Sequence, residues 1–491
     1  MRRLPALLVL VVATAGCSLS NLGSDDDPIV AETVPSSAPA QAEAPASTVL
    51  APDGDDPAAA PGDLAYAEIV NRSVASLDAF WAEQLPAAYG IEYTPLAGVQ
   101  PWDPRDESTL PACNGRQQPI ESYANNAFYC RADDYIGWDD TGLMPRLYQE
   151  YGDAAVALVL SHEWGHALQA RLDVDIDAIE TVYSELQADC FAGAWAASVI
   201  GGSSSALALD VGDVDEAISG YLLFRDPPGT DPAAEQSHGS AFDRVGAFGD
   251  GFRVGPGICA AIVDGDYPLA DIEPADDFED TEGNAPFSGD KSIFELVVGD
   301  LEGYWRAHAP EVTGQPWDPT GSAVPVDPRG EDVICGDEAI APEVLAANVV
   351  WCAADDYVAW DRDGLMLPLY EDIGDFAVAL LLANAWGDKA LALAGVDGDP
   401  VEMELASDCL AGAWATSVWQ QDRLGRTADD GTALGVATLS AGDLDEGIAG
   451  LLAVQDPAIA RLDITAFDRA DAFRRGFALE DPAACLPGAT G

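Results

Sequence analysis

Residues Cys130–Asp139 return 222 positions later as Cys352–Asp361, with the cysteine, the Asp-Asp-Tyr triplet and the Trp-Asp pair in place. Glu185–Trp195 returns as Glu404–Trp414 at a spacing of 219, and Ala241–Arg244 as Ala466–Arg469 at 225. Three blocks in one order at nearly constant spacing read as one fold present twice in tandem, with loop insertions accounting for the differences. The chain has 491 residues, 48% of them apolar, enough to bury the cores of two such units. This reading places one domain at residues 64–273 and another at 292–491, with an acidic linker at 274–291. Carboxylates between Asp264 and Gly289 could bind calcium, but a solvated linker is the better reading of them.

Ahead of the first copy, Met1-Arg2-Arg3 is positive, Leu4–Ala13 is apolar but too short to span a bilayer, and Thr14-Ala15-Gly16 are small residues before Cys17. This order predicts an export signal over residues 1–17, specifically a lipoprotein signal with the lipid on Cys17; a plainly secreted chain is the alternative. Residues 18–63, rich in Ala, Pro, Ser and Asp, cannot bury enough surface to fold and read as a disordered tether. No later stretch reads as a membrane span, so membrane contact is expected only through the anchor at Cys17, on the outer face of the cell membrane. The formal charge of -63 at pH 7 repels phosphate backbones and excludes nucleic acid as a default partner.

Beyond Cys17, eight cysteines fall four to a copy. An even, repeated set in an exported chain argues for disulfides. The first two of each copy are 17 apart, which suggests Cys113–Cys130 and Cys335–Cys352 and leaves Cys190–Cys259 and Cys409–Cys485 as the longer pairs. A zinc site on these thiols is the rival reading, and it lacks a close CxxC pair.

Histidine is scarce: His162, His166, His238 and His308 are all the chain has. The first two lie in the apolar run Ala154–Leu168, a buried helix with Asp153 as its expected N-cap, and their spacing of four stacks them on one face. A second helix, about Ile179–Val199, carries Glu185 and Asp189, also four apart. A third starts near Gly212, where Asp213 and Glu216 have capping-box spacing. Short strands are expected at Asn126–Cys130 and Asp134–Trp138, giving a helix-rich α+β class with a small sheet. His162-Glu163-Trp164-Gly165-His166 is an HExxH motif, in which two neutral imidazoles hold Zn2+ and the glutamate points at the water that the metal activates. Chance would supply it about 0.006 times in a chain so poor in histidine, so two unrelated core histidines is a weak alternative. Glu185 offers a third ligand, and Asp189, one turn on, an acceptor for the outward N–H of a ligating histidine.

HExxH followed by ExxxD resembles the gluzincin arrangement, and the string Glu185–Gly193 resembles the bacterial neutral zinc metallopeptidase family. Asn126–Cys130 with Asp133-Asp134, Gly212–Ala217, and His238-Gly239-Ser240 match that family as well, so the resemblance covers most of the first copy. It implies a zincin-like fold with His162, His166 and Glu185 as zinc ligands and Glu163 as general base. It also implies that His238 stabilises the oxyanion, against a surface loop histidine as the alternative, and that Asn126-Ala127 lies on an edge strand pairing with substrate.

In the second copy Asn384, Ala385 and Asp388 stand where His162, Glu163 and His166 stand in the first, and about Asp463 where His238 stands. Trp386, Gly387, Cys409 and Trp414 persist, so this copy reads as a folded pseudoenzyme domain without tight zinc, expected to shield or extend the substrate groove of the first domain or to bind a protein partner. His308 falls where the first copy has Gln84 and is expected as an exposed helix residue. The expected function is hydrolysis of a peptide or protein substrate by zinc-activated water in the first domain. The alternative is a non-catalytic cell-envelope binding or scaffold lipoprotein with a vestigial zinc site. Three protein ligands rather than four favour the enzyme.

Overall fold

The computed structural model describes residues 64–204, 206–209, 211–234, 237–264, 267–270, 284–330, 332–424, 439–440, 442–454, 464–479 and 481–488. The export signal, Cys17, the tether, much of the acidic linker and Asp463 lie outside these residues.

The first half runs α1 (Tyr66–Tyr89), β1 (Gly98–Trp102), β2 (Ala127–Cys130), β3 (Tyr135–Asp139), α2 (Leu143–Tyr151), α3 (Asp153–Arg171), α4 (Thr181–Ile200), α5 (Val211–Tyr221) and α6 (Ala241–Val254). Helix α3 has no polar stripe because α1, α2, α4, α5 and the sheet surround it, and most of its residues are buried. Asp153 in its first turn and Arg171 in its last both oppose the helix dipole. The expected cap is displaced: Gly152, at φ 87°, takes the N-cap position, and Asp153 is the first helical residue, accepting the Leu64 N–H at 3.0 Å. Likewise α5 begins at Val211, so Asp213 sits inside its first turn rather than at a cap. The sheet has the order β1-β3-β2, with β1 parallel and β2 antiparallel to β3, which leaves β2 on an edge.

Two close crossings set where the helices meet. A Cβ at Gly165 of α3 would lie 2.6 Å from the Ala188 Cα, so the α3 and α4 backbones approach to a distance that only glycine allows. Gly193 of α4 and Gly251 of α6 face the carbonyls of Phe248 and Cys190 in the same way.

The second half runs α7 (Ile293–Val312), β4 (Ser322–Val326), β5 (Ile334–Cys335), β6 (Glu338–Ala339), α8 (Pro342–Leu345), β7 (Val349–Cys352), β8 (Tyr357–Asp361), α9 (Leu367–Asp372), α10 (Asp375–Ala394), α11 (Pro400–Leu424), α12 (Asp443–Ala453) and α13 (Ala466–Ala478). Its main sheet has the order β4-β8-β7, again with one parallel and one antiparallel pairing. The anchoring of Leu64 by Asp153 and Tyr148 has a counterpart in Ala285, whose N–H donates to Asp375 at 2.7 Å and whose carbonyl accepts from Tyr370 at 2.9 Å. The segment from Ala285 therefore packs with the second half, although the sequence reading assigns it to the linker. Contrary to the expectation of no further apolar span, α10 is long and apolar enough to cross a membrane, with a mean hydropathy of 1.4. It is apolar because 78% of that window is buried inside the fold. His308 on α7 is half-buried rather than exposed, its ring 4.4 Å from that of Tyr304.

Disulfides join all four expected pairs, Cys113–Cys130, Cys190–Cys259, Cys335–Cys352 and Cys409–Cys485. One apolar cluster runs through both halves. Between them, Phe242 of α6 lies 5.9 and 5.1 Å from Phe473 and Phe477 of α13, while Phe467 of α13 lies 5.6 and 5.3 Å from Phe248 and Phe252 of α6.

Candidate metal centre

The Gly165–Ala188 contact brings the histidine face of α3 against the acidic face of α4. Ligand atoms of His162, His166 and Glu185 all fall within 4.8 Å of one another. The Nε2 atoms of His162 and His166 lie 3.2 and 3.4 Å from the two oxygens of Glu185. Each imidazole is oriented from behind: His162 Nδ1 meets Asp189 Oδ1 at 2.7 Å, and His166 Nδ1 meets Gln169 Oε1 at 3.0 Å. With Nδ1 as the donor in both, each Nε2 is turned toward Glu185, where it can serve as a metal ligand.

Asp189 is in turn held by Arg244 of α6, whose Nε and Nη2 donate to its two oxygens at 2.8 and 2.9 Å. The bidentate pair is buried on both sides, so the guanidinium fixes the carboxylate in place as well as neutralising it. Sequence reasoning missed both Arg244 and Gln169. Arg244 lies in the recurring Ala241–Arg244 block, and Gln169 sits three residues past His166, so each left a trace that only the fold could interpret.

The electrostatics follow from this packing. Burial disfavours a charged His162, but Asp189 and Glu185 reverse that and push its pKa up to about 10. His166 is raised likewise, by Glu185 against burial. Burial would raise Glu185, yet His166 and His162 hold it well below the usual carboxylate range. A cation that binds among these groups would displace the protons that the raised imidazole pKa values favour. Glu163 differs: burial raises its pKa, and its Oε2 is buried with no hydrogen-bond partner among the described residues. Two imidazoles, one carboxylate and a second carboxylate beside them with one oxygen that lacks a hydrogen-bond partner among the described residues suit Zn2+ with an open position.

His238 lies close enough to Glu163 and Glu185 that a charge on its ring would favour the ionised form of both. Asp226, also missed from sequence, holds its loop: Oδ2 accepts the His238 and Gly239 N–H groups and the Ser237 hydroxyl, each at 2.8 Å.

The corresponding place in the second half is filled differently. Asn384 donates to Asp408 at 2.8 Å and to Glu404 at 3.4 Å, while Asp388 accepts from Ser407 at 2.6 Å. Arg469 bridges Asp408 and also reaches Glu404 at 3.1 Å, so the counterpart of Glu185 is already neutralised by an arginine.

A donor set of two helical imidazoles and a glutamate from the next helix is that of zinc metallohydrolases. The family model described as putative neutral zinc metallopeptidase matches residues 6–259, just over half of the chain, and the chain belongs to that family. It is similar to the uncharacterized protein YpfJ of Escherichia coli K12, with 30% identity over 161 residues, covering 27% of this chain and 52% of that protein. It is also similar to the uncharacterized protein Rv2575 of Mycobacterium tuberculosis H37Rv, with 31% identity over 157 residues, covering 27% of this chain and 53% of the relative. The chain thus spans about half the length of the curated relatives it matches. No solved structure matches it.

Proposed function

We propose that the first half is a zinc-dependent peptidase acting on a peptide or protein substrate, with His162, His166 and Glu185 holding the metal. The observation that carries this reading is the convergence of the three donors within 4.8 Å beside the unpartnered Glu163 Oε2. Zinc, when bound, supplies a Lewis acid that makes water acidic and polarises a carbonyl. Glu163 is the general base: its buried free oxygen takes a proton from water and delivers it to the leaving amine. His238, on the loop held by Asp226, donates to the oxyanion. Asp189 and Gln169 keep the Nε2 atoms of the ligating imidazoles turned inward. Strand β2, on the sheet edge, is the place for an extended substrate to pair.

The second half is a pseudoenzyme copy of the first, arising by tandem duplication. The matching sheet orders and the paired anchors of Leu64 and Ala285 support this, as does the Arg469–Glu404 contact in place of a metal site. The reading includes export with lipid on Cys17, supported by the arginines and apolar run ahead of it and by four disulfides.

The test is a pair of substitutions in the full chain. Glu163→Gln should keep one equivalent of zinc and lose hydrolysis of a peptide library by at least about 100-fold, whereas His162→Ala should lose both. Full hydrolysis by the Gln variant would remove Glu163 from the mechanism. A wild-type chain that binds zinc and cleaves nothing would point to the envelope-binding alternative.

A further inference from the structure

The two structures that support the metal centre from outside, helix α6 with Arg244 and the loop with His238, both meet the second half at one carboxylate. Asp445 of α12 is buried, and its Oδ1 accepts the Phe242 N–H at 2.9 Å, in the first turn of α6 and two residues before Arg244. Its Oδ2 lies 3.6 Å from Nε of Arg225. The residue next to Arg225 is Asp226, which gathers the backbone of the His238 loop. One side chain of the half without the imidazole pair therefore touches both supports of the half that has it.

The contact is reciprocal. Asp215 occupies the same place in Gly212–Glu216 that Asp445 occupies in Gly442–Glu446. It crosses the other way, accepting the Ala466 and Phe467 N–H groups at 2.9 and 2.8 Å at the start of α13. There the chain of contacts runs through Arg469 to Asp408 and ends at Asn384. The same device acts in both directions, and only one direction ends at an imidazole pair.

We propose that Asp445 is a positioning residue for the metal centre of the first half, so that the second half works as the built-in support of a site it does not itself contain. The proposal rests on the zinc reading above. Two routes run from Asp445 into the site: through α6 to Arg244, Asp189 and His162, and through Arg225 and Asp226 to His238.

The pseudo-symmetry supplies the control. Asp445→Ala and Asp215→Ala each remove one carboxylate that accepts N–H groups at the start of a helix across the same interface, so both should lower the melting temperature of the full chain by similar amounts. Zinc affinity, measured by chelator competition, should fall about tenfold in Asp445→Ala and stay within twofold of wild type in Asp215→Ala. The visible absorption bands of the Co2+-substituted protein should shift in Asp445→Ala alone. Asp445→Asn, which keeps an oxygen to accept the Phe242 N–H, should recover most of the affinity. Equal loss of zinc affinity in both Ala variants, or no loss in either, would overturn the proposal while leaving the zinc reading intact. A wild-type chain that takes up no zinc would remove both.

Discussion

Asp388 of α10 holds the position that, under the proposed duplication, corresponds to a ligand of the proposed metal centre. It stands where His166 stands in the first half, and burial, reinforced by the charge on Asp408 and opposed by the Ser407 hydroxyl, pushes its pKa up to about 6. Because the folded pKa is raised above the unfolded value of 3.8, the fold favours the protonated carboxyl. The resulting penalty is absent below about pH 4, grows between about pH 4 and 6, and is constant above that. Asp388→Asn should therefore leave stability unchanged at pH 4 and raise it by about 1–2 kcal/mol at pH 7.5, after discounting for the part of the side chain that water still reaches. Melting curves of the two proteins at both pH values check this; an equal difference at pH 4 would show that packing, not charge, is responsible.

At the scale of elements, the site depends on how closely α3 and α4 cross. Gly165→Ala gains helix propensity but drives a methyl into the Ala188 backbone, and overpacking outweighs propensity at a buried crossing. The variant should lose about 1–3 kcal/mol of stability and bind zinc more weakly, while Gly299→Ala on α7, where a Cβ meets nothing within 4 Å, should gain up to about 1 kcal/mol. Denaturant unfolding and zinc titration of both variants decide it. The helices that carry the chemistry were legible in the sequence because HExxH and ExxxD fix residue type at a spacing of one turn. Strand β1 was not: Gly98–Trp102 is short, contains Pro101 and pairs with β3 in parallel across a long connection, so no local pattern announces it. Arg244 was likewise visible as part of a repeated block but not as a support of Asp189, 55 residues away, because that distance closes only when α6 packs on α4. Asp153 misled because an acidic residue before an apolar run fits the N-cap and the first helical position equally well.

For the whole molecule, the contacts between α6 and α13 are those of an isologous dimer. Phe242 meets Phe473 and Phe477 while Phe467 meets Phe248 and Phe252, and Asp215 and Asp445 exchange helix starts. The sequence blocks suggest a repeat but not these contacts, since two copies in tandem would say nothing about which faces meet. Joining both partners in one chain turns their encounter into an intramolecular event with an effective concentration that no dilution of the protein alters. Cutting the chain at an engineered protease site between residues 271 and 283 should leave the halves together at micromolar concentration. Zinc affinity should then fall on dilution of the cut protein while the uncut protein is unaffected, and sedimentation at a series of concentrations reads the transition. Halves that part as soon as the chain is cut would show that the aromatic contacts alone do not hold them. A true homodimer must repeat every substitution on both sides of its axis. A chain that carries both sides can change one alone, so on the proposed duplication one copy can lose its imidazole pair while the other keeps it.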